Sequence, residues 1–262
     1  MSTANALRSW QPALRRGWQS TVRNLNTSAL LLTLILSPSS YRRGPRAVIA
    51  HHVYLGTAPM LPWFTLLVAL ASLVLIHIVV VTAASYGLSQ YALETVIRVL
   101  VLELIPLVSA LFVAVNVTLP GGVALSRQRA MAQRGSPAMA APLLAEAMAR
   151  VLAGMFAVIT LAVVSCVVSL VLTYLVVHGL APAAFGAYTR KVGQVFNPAV
   201  TLIFVLKTLF FSLAVSLVPI LGGLHPAPMR AGRAELPEVQ GLVRMFFLIL
   251  LIEIVSLVGN YY

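Results

Sequence analysis

The sequence contains no aspartate, one cysteine and six acidic residues in all, every one of them a glutamate. Without aspartate, a paired-aspartate membrane protease is excluded. Cys166 has no partner for an intrachain disulfide and builds no cysteine metal site. Lying inside an apolar run, it reads as a small buried hydrophobe rather than a reactive thiol. There is no His-Glu-x-x-His, no G-x-S-x-G and no P-loop. Zinc-peptidase and serine-hydrolase chemistry are therefore missing, and the chain is not its own ATPase. No enzyme activity is expected.

Charge is also scarce. Only 9% of the 262 residues are charged, whereas 60% are hydrophobic, and the mean hydropathy is +0.96. A soluble domain of this size would carry far more charge. Several runs reach the roughly 20 apolar residues that cross a bilayer core, so the composition describes an all-α, polytopic membrane protein. Helices follow because an open sheet leaves backbone groups unsatisfied in lipid. The net charge of +12 does not form a basic stripe interleaved with stacking aromatics, which argues against nucleic acid.

Residues 1–60 form an N-terminal segment. Within it, 5–25 mix Leu, Trp and Val with arginines, the pattern of an amphipathic interfacial helix with Trp10 and Trp18 at headgroup level. "SALLLTLIL" (28–36) is too short to span and reads as a shallow, membrane-embedded continuation. Residues 61–262 then hold five expected spans, at 61–84, 96–117, 150–177, 196–218 and 239–259. No cleavable signal peptide is expected, because the first fifty residues are basic and interrupted by prolines.

Arginine placement sets the expected topology. Arg8, Arg15, Arg16, Arg23, Arg42, Arg43, Arg46, Arg127, Arg129, Arg134, Arg230 and Arg233 fall on one side; Arg190 and Lys191 fall on the other, with Arg98 near that edge. By the positive-inside rule the N-terminus is cytoplasmic and the C-terminus lies outside. The connection 118–142 suggests a short cytoplasmic helix between Gly121-Gly122 and a Ser-Pro stop. Both that glycine pair and Gly222-Gly223 read as turns at membrane exits. The connection 178–195 is polar enough to be solvent-exposed.

Three charged residues lie within expected spans rather than towards their ends: Glu103 in the second, Lys207 in the fourth and Glu253 in the fifth. Each costs roughly 2.5–3.5 kcal/mol at a helix centre on insertion scales. They are expected to face one another or a shared outward cavity, with Lys207 neutralising one glutamate. A purely structural ion pair is the plainer alternative. His77 reads as an interhelical hydrogen-bonding residue, and Ser165 and Ser169 as packing residues.

Read in order, these residues sit in local patterns. Span two is "LELIPLVSALFVA", with Glu103, Leu104 and Pro106. The next connection carries "SRQRAMAQ", with Arg129 and Gln133, and "ARVLAG" holds Arg150. Lys207 lies in span four, "GGLHPAPMRAG" supplies Gly223, Pro228, Ala231 and Gly232, and Glu253 lies in the last span. The order and spacing together resemble the MlaE/YrbE family, the permease subunits of ABC transporters that act on lipids with MCE-domain proteins.

The resemblance implies an MlaE-like permease fold with an interfacial N-terminal helix, five transmembrane helices and a cytoplasmic coupling helix at about 123–135. It implies a dimer, homomeric or with a related permease, around a phospholipid cavity. Glu103, Lys207, Glu253, Leu102, Pro106 and Tyr86 would line that cavity, with Lys207 as the natural partner for phosphate. A separate ATPase subunit would bind the ATP and dock at Arg127, Arg129, Met131 and Gln133. An MCE ring and a STAS-type accessory subunit would complete an assembly in the bacterial inner membrane.

The departures are specific. Leu102 replaces the family's arginine, Ile105 its glycine, Val115-Asn116 its Gly-Arg, and Ala132 the coupling-helix glutamate. They imply an altered docking surface, an asymmetric partner in a heterodimer, or weak coupling. An ion-coupled carrier working through Glu103, Lys207 and Glu253, and a non-transporting assembly subunit, are the competing readings.

Overall fold

A computed structural model describes residues 26–37, 45–132, 140–224 and 237–261. The expected interfacial helix at 5–25, Gln133, and the loop carrying Pro228, Ala231 and Gly232 lie outside the described residues. Within them every regular element is helical. In chain order these are α1 (Asn26–Leu36), α2 (Pro45–Thr57), α3 (Leu61–Ser85), α4 (Ser89–Val96), α5 (Ile105–Val113), α6 (Leu119–Ala132), α7 (Ala140–His178), α8 (Phe185–Val195), α9 (Pro198–Leu224) and α10 (Pro237–Tyr261).

Five helical stretches are long and apolar enough to cross a membrane: Arg46–Ser85, Ser89–Met131, Pro142–His178, Pro198–Leu224 and Gly241–Asn260. Each overlaps one of the five expected spans, the fourth and fifth starting two residues later than expected. The chain is a multi-pass membrane protein, and most of its span surface is apolar and outward-facing. Only 17% of the last span's apolar window is buried within the chain, leaving lipid or a second subunit to cover the rest.

The second span is not a plain α-helix. Its turns widen to π-helical geometry over Ile97–Leu104 and again over Ala114–Thr118. At the ends of these stretches, Ile105 N–H donates to Leu100 O and Leu119 N–H to Ala114 O, each five residues back. Prolines sit just beyond, at 106 and 120. Proline has no N–H to return to the carbonyl four residues earlier and its ring crowds that carbonyl, so widened turns before it relieve the clash.

α7 is the organising helix. Its 39 residues run about 58 Å at 1.5 Å per residue, and it packs against α2, α3, α5 and α9. One core, built from Phe64, Ile97, Val101, Ile105, Leu161 and Phe211, fills the body of the bundle. A second gathers Leu31, Leu125, Met148, Val151 and Ile220. Leu31, fully buried there, anchors the short α1 onto the ends of α6, α7 and α9.

The glycine pairs do not make turns. Gly121 and Gly122 lie inside α6 and Gly222 and Gly223 inside α9. A Cβ on Gly122 would stand 2.5 Å from Pro219 O, and one on Gly223 would collide with Gly122 O. Bare backbones therefore cross at this point, the small-residue device by which membrane helices approach closely. Consequently α6 continues span two without a break, instead of starting afresh after a turn. A second tight contact has Gly154 of α7 against Ser216 Oγ and Thr118 Cγ2.

His77 is also placed differently from expectation. Phe64, Val68, Ser72 and Ile76 form the buried stripe of α3, and His77 falls on the exposed side. The interhelical bond comes from Ser72, whose Oγ pairs with Ser169 Oγ at 2.8 Å. The connection 178–195 is more ordered than plain solvent-exposed loop: α8 buries Tyr188 and Val195 and packs Val192 against the core, while its other residues are exposed. Tyr188 Oη donates to Leu170 O at 2.7 Å, and burial pushes its phenol up to about 12, so it stays a donor.

Candidate functional site

Three sequence segments 104 and 157 residues apart meet at one charged cluster. Lys207 of α9 donates to Glu103 Oε2 in the widened part of span two. Glu253 Oε2 of α10 lies 2.9 Å from Lys207 Nζ; the contact is ionic, without the angle of a directed hydrogen bond. Asn260 Nδ2 donates to Glu103 Oε1 at 3.0 Å. Glu103 thus holds Lys207 with one oxygen and Asn260 with the other.

The backbone takes part as well. Pro106 cannot donate to the Leu102 carbonyl four residues before it. Lys207 Nζ reaches that carbonyl at 3.3 Å. Leu102 thus contributes through its main chain while its side chain is buried in the core, and Pro106 contributes by freeing an acceptor. The Phe211 ring lies one turn along α9, with its centroid 5.7 Å from Lys207 Nζ.

This geometry removes Lys207 as a ready phosphate partner. An ammonium has three donors, and three oxygens already surround this one: Glu103 Oε2, Glu253 Oε2 and Leu102 O. Its side chain is 1% exposed, against 11% for Glu103 and 17% for Glu253. Two carboxylates and one ammonium leave a formal charge of −1, and the carboxylates form the reachable edge.

Of the expected cavity residues, the structure brings Glu103, Lys207, Glu253, Leu102 and Pro106 together. Tyr86 stands apart, 76% exposed in the turn after α3. Asn260 carries no signal of its own in the sequence, although its position seven residues after Glu253 puts both on one face of α10. Ser256 lies between them on that face and is buried. Its Oγ and Asn260 Oδ1 are buried and find no hydrogen-bond partner among the described residues.

A second polar network lies where α2, α6 and α7 meet. Glu146 Oε1 pairs with His52 Nε2 at 2.9 Å and with Arg150 Nη2 at 2.9 Å. Arg150 Nη1 also donates to Gly121 O at 3.3 Å, next to the glycine crossing. His52 and Glu146 carry no pattern that marks them in the sequence; Arg150 does. Glu146→Ala is expected to cost about 1–3 kcal/mol, because it strips acceptors from two partly buried donors. Thermal unfolding in detergent measures this, and an unchanged midpoint would show the network to be idle.

Of the expected coupling residues, Arg127, Arg129 and Met131 lie on the last turns of α6, and Met131 is exposed. Elsewhere a hollow of about 50 Å³ between α4 and α8 is lined by Glu94, Lys191 and Gln194 among others. That is far below the roughly 300–1,000 Å³ of a ligand pocket.

Comparison with protein families gives a match over most of the chain: residues 49–258 fit the model described as Permease MlaE. That stretch includes Glu103, Lys207 and Glu253 and ends just before Asn260. Comparison with curated proteins gave no match.

Proposed function

From the premise that this chain belongs to the MlaE permease family, we propose that it is the lipid-translocating subunit of an ABC-type transporter working with MCE-domain proteins. Membership makes it a membrane permease of ABC type, partnered by an ATPase subunit, in a transporter rather than an enzyme family. The lipid, the MCE ring, a STAS-type subunit and the paired permease are the further content of the proposal. So is the orientation, with the N-terminus in the bacterial cytoplasm and the C-terminus outside.

The observation that carries the reading is the buried cluster of Glu103, Lys207, Glu253 and Asn260 between spans that are themselves strongly apolar. Ionisable groups at membrane depth are costly and tend to mark substrate paths. Apolar span surfaces around such a cluster suit acyl chains, and the polar cluster suits a headgroup. Closing and opening the space between two such chains would move lipid as a shift between two populated shapes.

The carrier reading would call for broken helices at matching places in two halves. The irregular turns described above instead belong to one span. An assembly-only role would need the cluster solely as a structural ion network, and the lipid retention of a charge-free variant separates the two.

Gentle purification followed by mass spectrometry tests the proposal directly. An ATPase subunit and stoichiometric phospholipid are expected with the chain; their joint absence would defeat it. The docking surface is tested separately. Arg129→Glu is expected to reduce ATPase recovered in a pull-down by about tenfold, as the loss of a charge-assisted contact worth about 1.5–3 kcal/mol. Full recovery would move the docking surface elsewhere.

A further inference from the structure

The charged cluster also indicates what kind of polar group it would accept. It holds one ammonium that donates to Glu103 Oε2 and Leu102 O and pairs ionically with Glu253 Oε2, and two carboxylates that leave a formal charge of −1. Exposure rises from Lys207 to Glu103 to Glu253, so an approaching ligand meets carboxylate first. Asn260 Oδ1 and Ser256 Oγ add buried oxygens without partners on the same face of α10. Buried acceptors left unmet are costly, and a donor that satisfies them is favoured accordingly.

A phosphate monoester brings negative charge and acceptors to a site that already has both. To reach Lys207 it would have to displace a carboxylate from a contact inside the bundle. Where the related family carries an arginine, this chain has Leu102, with its side chain turned into the core, so position 102 supplies no second cation beside Glu103. A primary ammonium has the opposite character: it brings positive charge and three donors.

We propose that the Glu103–Glu253–Asn260 edge selects ligands whose polar end is a primary ammonium, and disfavours those ending in an unshielded phosphate. The proposal rests on the lipid reading above and specifies its headgroup. It commits to an amine-bearing phospholipid, such as one with an ethanolamine headgroup, over a soluble amine, since the apolar span surfaces offer nothing to a small polar molecule.

The test places the purified full chain, with its partner subunits, in nanodiscs. These contain equal parts of ethanolamine phospholipid and phosphatidic acid with identical acyl chains. Lipid retained after extraction into detergent is then counted by native mass spectrometry. Retained ethanolamine lipid is expected to exceed phosphatidic acid by about tenfold, the effect of one charge-assisted hydrogen bond. Free ethanolamine at matching concentration should not reduce that excess.

Glu253→Gln keeps the shape and removes the charge, and should bring the ratio close to one. The same variant must elute as a single folded species for that ratio to be scored. Glu238→Gln, at the start of α10 and well before the cluster in sequence, serves as the folded control with an unchanged ratio. Equal retention by the wild type, or preference for phosphatidic acid, overturns the headgroup proposal while leaving a lipid permease standing. Displacement by free ethanolamine overturns the choice of lipid over soluble amine. Retention of no lipid at all defeats both this proposal and the lipid reading on which it rests.

Discussion

Lys207→Met is expected to destabilise the folded chain by about 3–5 kcal/mol, among the largest losses from any single substitution. Removing the ammonium leaves Glu103 and Glu253 facing each other without their shared partner. It also leaves the Leu102 carbonyl, which Pro106 cannot satisfy, without its donor. Methionine replaces the aliphatic length of lysine, so the cost is electrostatic rather than a cavity. The triple variant Glu103→Gln, Lys207→Met, Glu253→Gln should recover most of that loss, because an apolar or neutral replacement of a whole buried ion cluster is often tolerated.

Thermal unfolding of detergent-solubilised protein, followed by size exclusion, measures both variants. If the charges serve transport, the triple variant will fold and yet fail to retain lipid. A Lys207→Met protein as stable as wild type would mean that the cluster is hydrated and loosely held, against the near-complete burial of the lysine. Full lipid retention by the triple variant would reduce the cluster to a structural ion network.

Gly223→Ala is expected to be nearly as disruptive, with a loss of about 2–3 kcal/mol, at the upper end of what overpacking a core costs. The added methyl would enter the Gly122 carbonyl and lie 3.1 Å from its carbon. These are backbone atoms, so no rotamer change can relieve the contact and α6 must move from α9. Gly122→Ala meets the Pro219 carbonyl in the same way. Gly222 provides the control on the adjacent residue: a Cβ there meets nothing within 4 Å. Gly222→Ala should therefore be neutral or gain up to about 1 kcal/mol from helix propensity.

The same comparison reads function as well as stability. α6 ends in Arg127, Arg129 and Met131, and Arg150 ties its start to Glu146 and His52. Moving α6 off α9 should therefore weaken ATPase association along with folding. If Gly223→Ala and Gly222→Ala unfold at the same temperature, the close crossing is not a determinant of the fold.

Much of this protein is legible in its amino-acid sequence. Hydropathy places all five spans, because the cost of putting a residue in lipid is local and sums along a helix. Glu103, Lys207 and Glu253 stand out for the same reason, each being an isolated charge in an apolar run. The order of the local motifs is enough to indicate the family that the match over residues 49–258 shows.

Other features depend on which helices face each other. The glycine pairs read as turns because glycine breaks helices in water; in a membrane bundle the missing side chain instead allows a close crossing, and only the partner helix distinguishes the two. His77 and Ser72 have similar surroundings in sequence, yet the rotation of α3 buries one and exposes the other. Lys207 reads as available to phosphate until tertiary packing surrounds it with three oxygens from two other segments. The sequence by itself determined what enters the membrane, since the free energy of burial in lipid accrues residue by residue. Tertiary structure alone decided which charges and backbones meet, since those energies belong to pairs far apart in the chain.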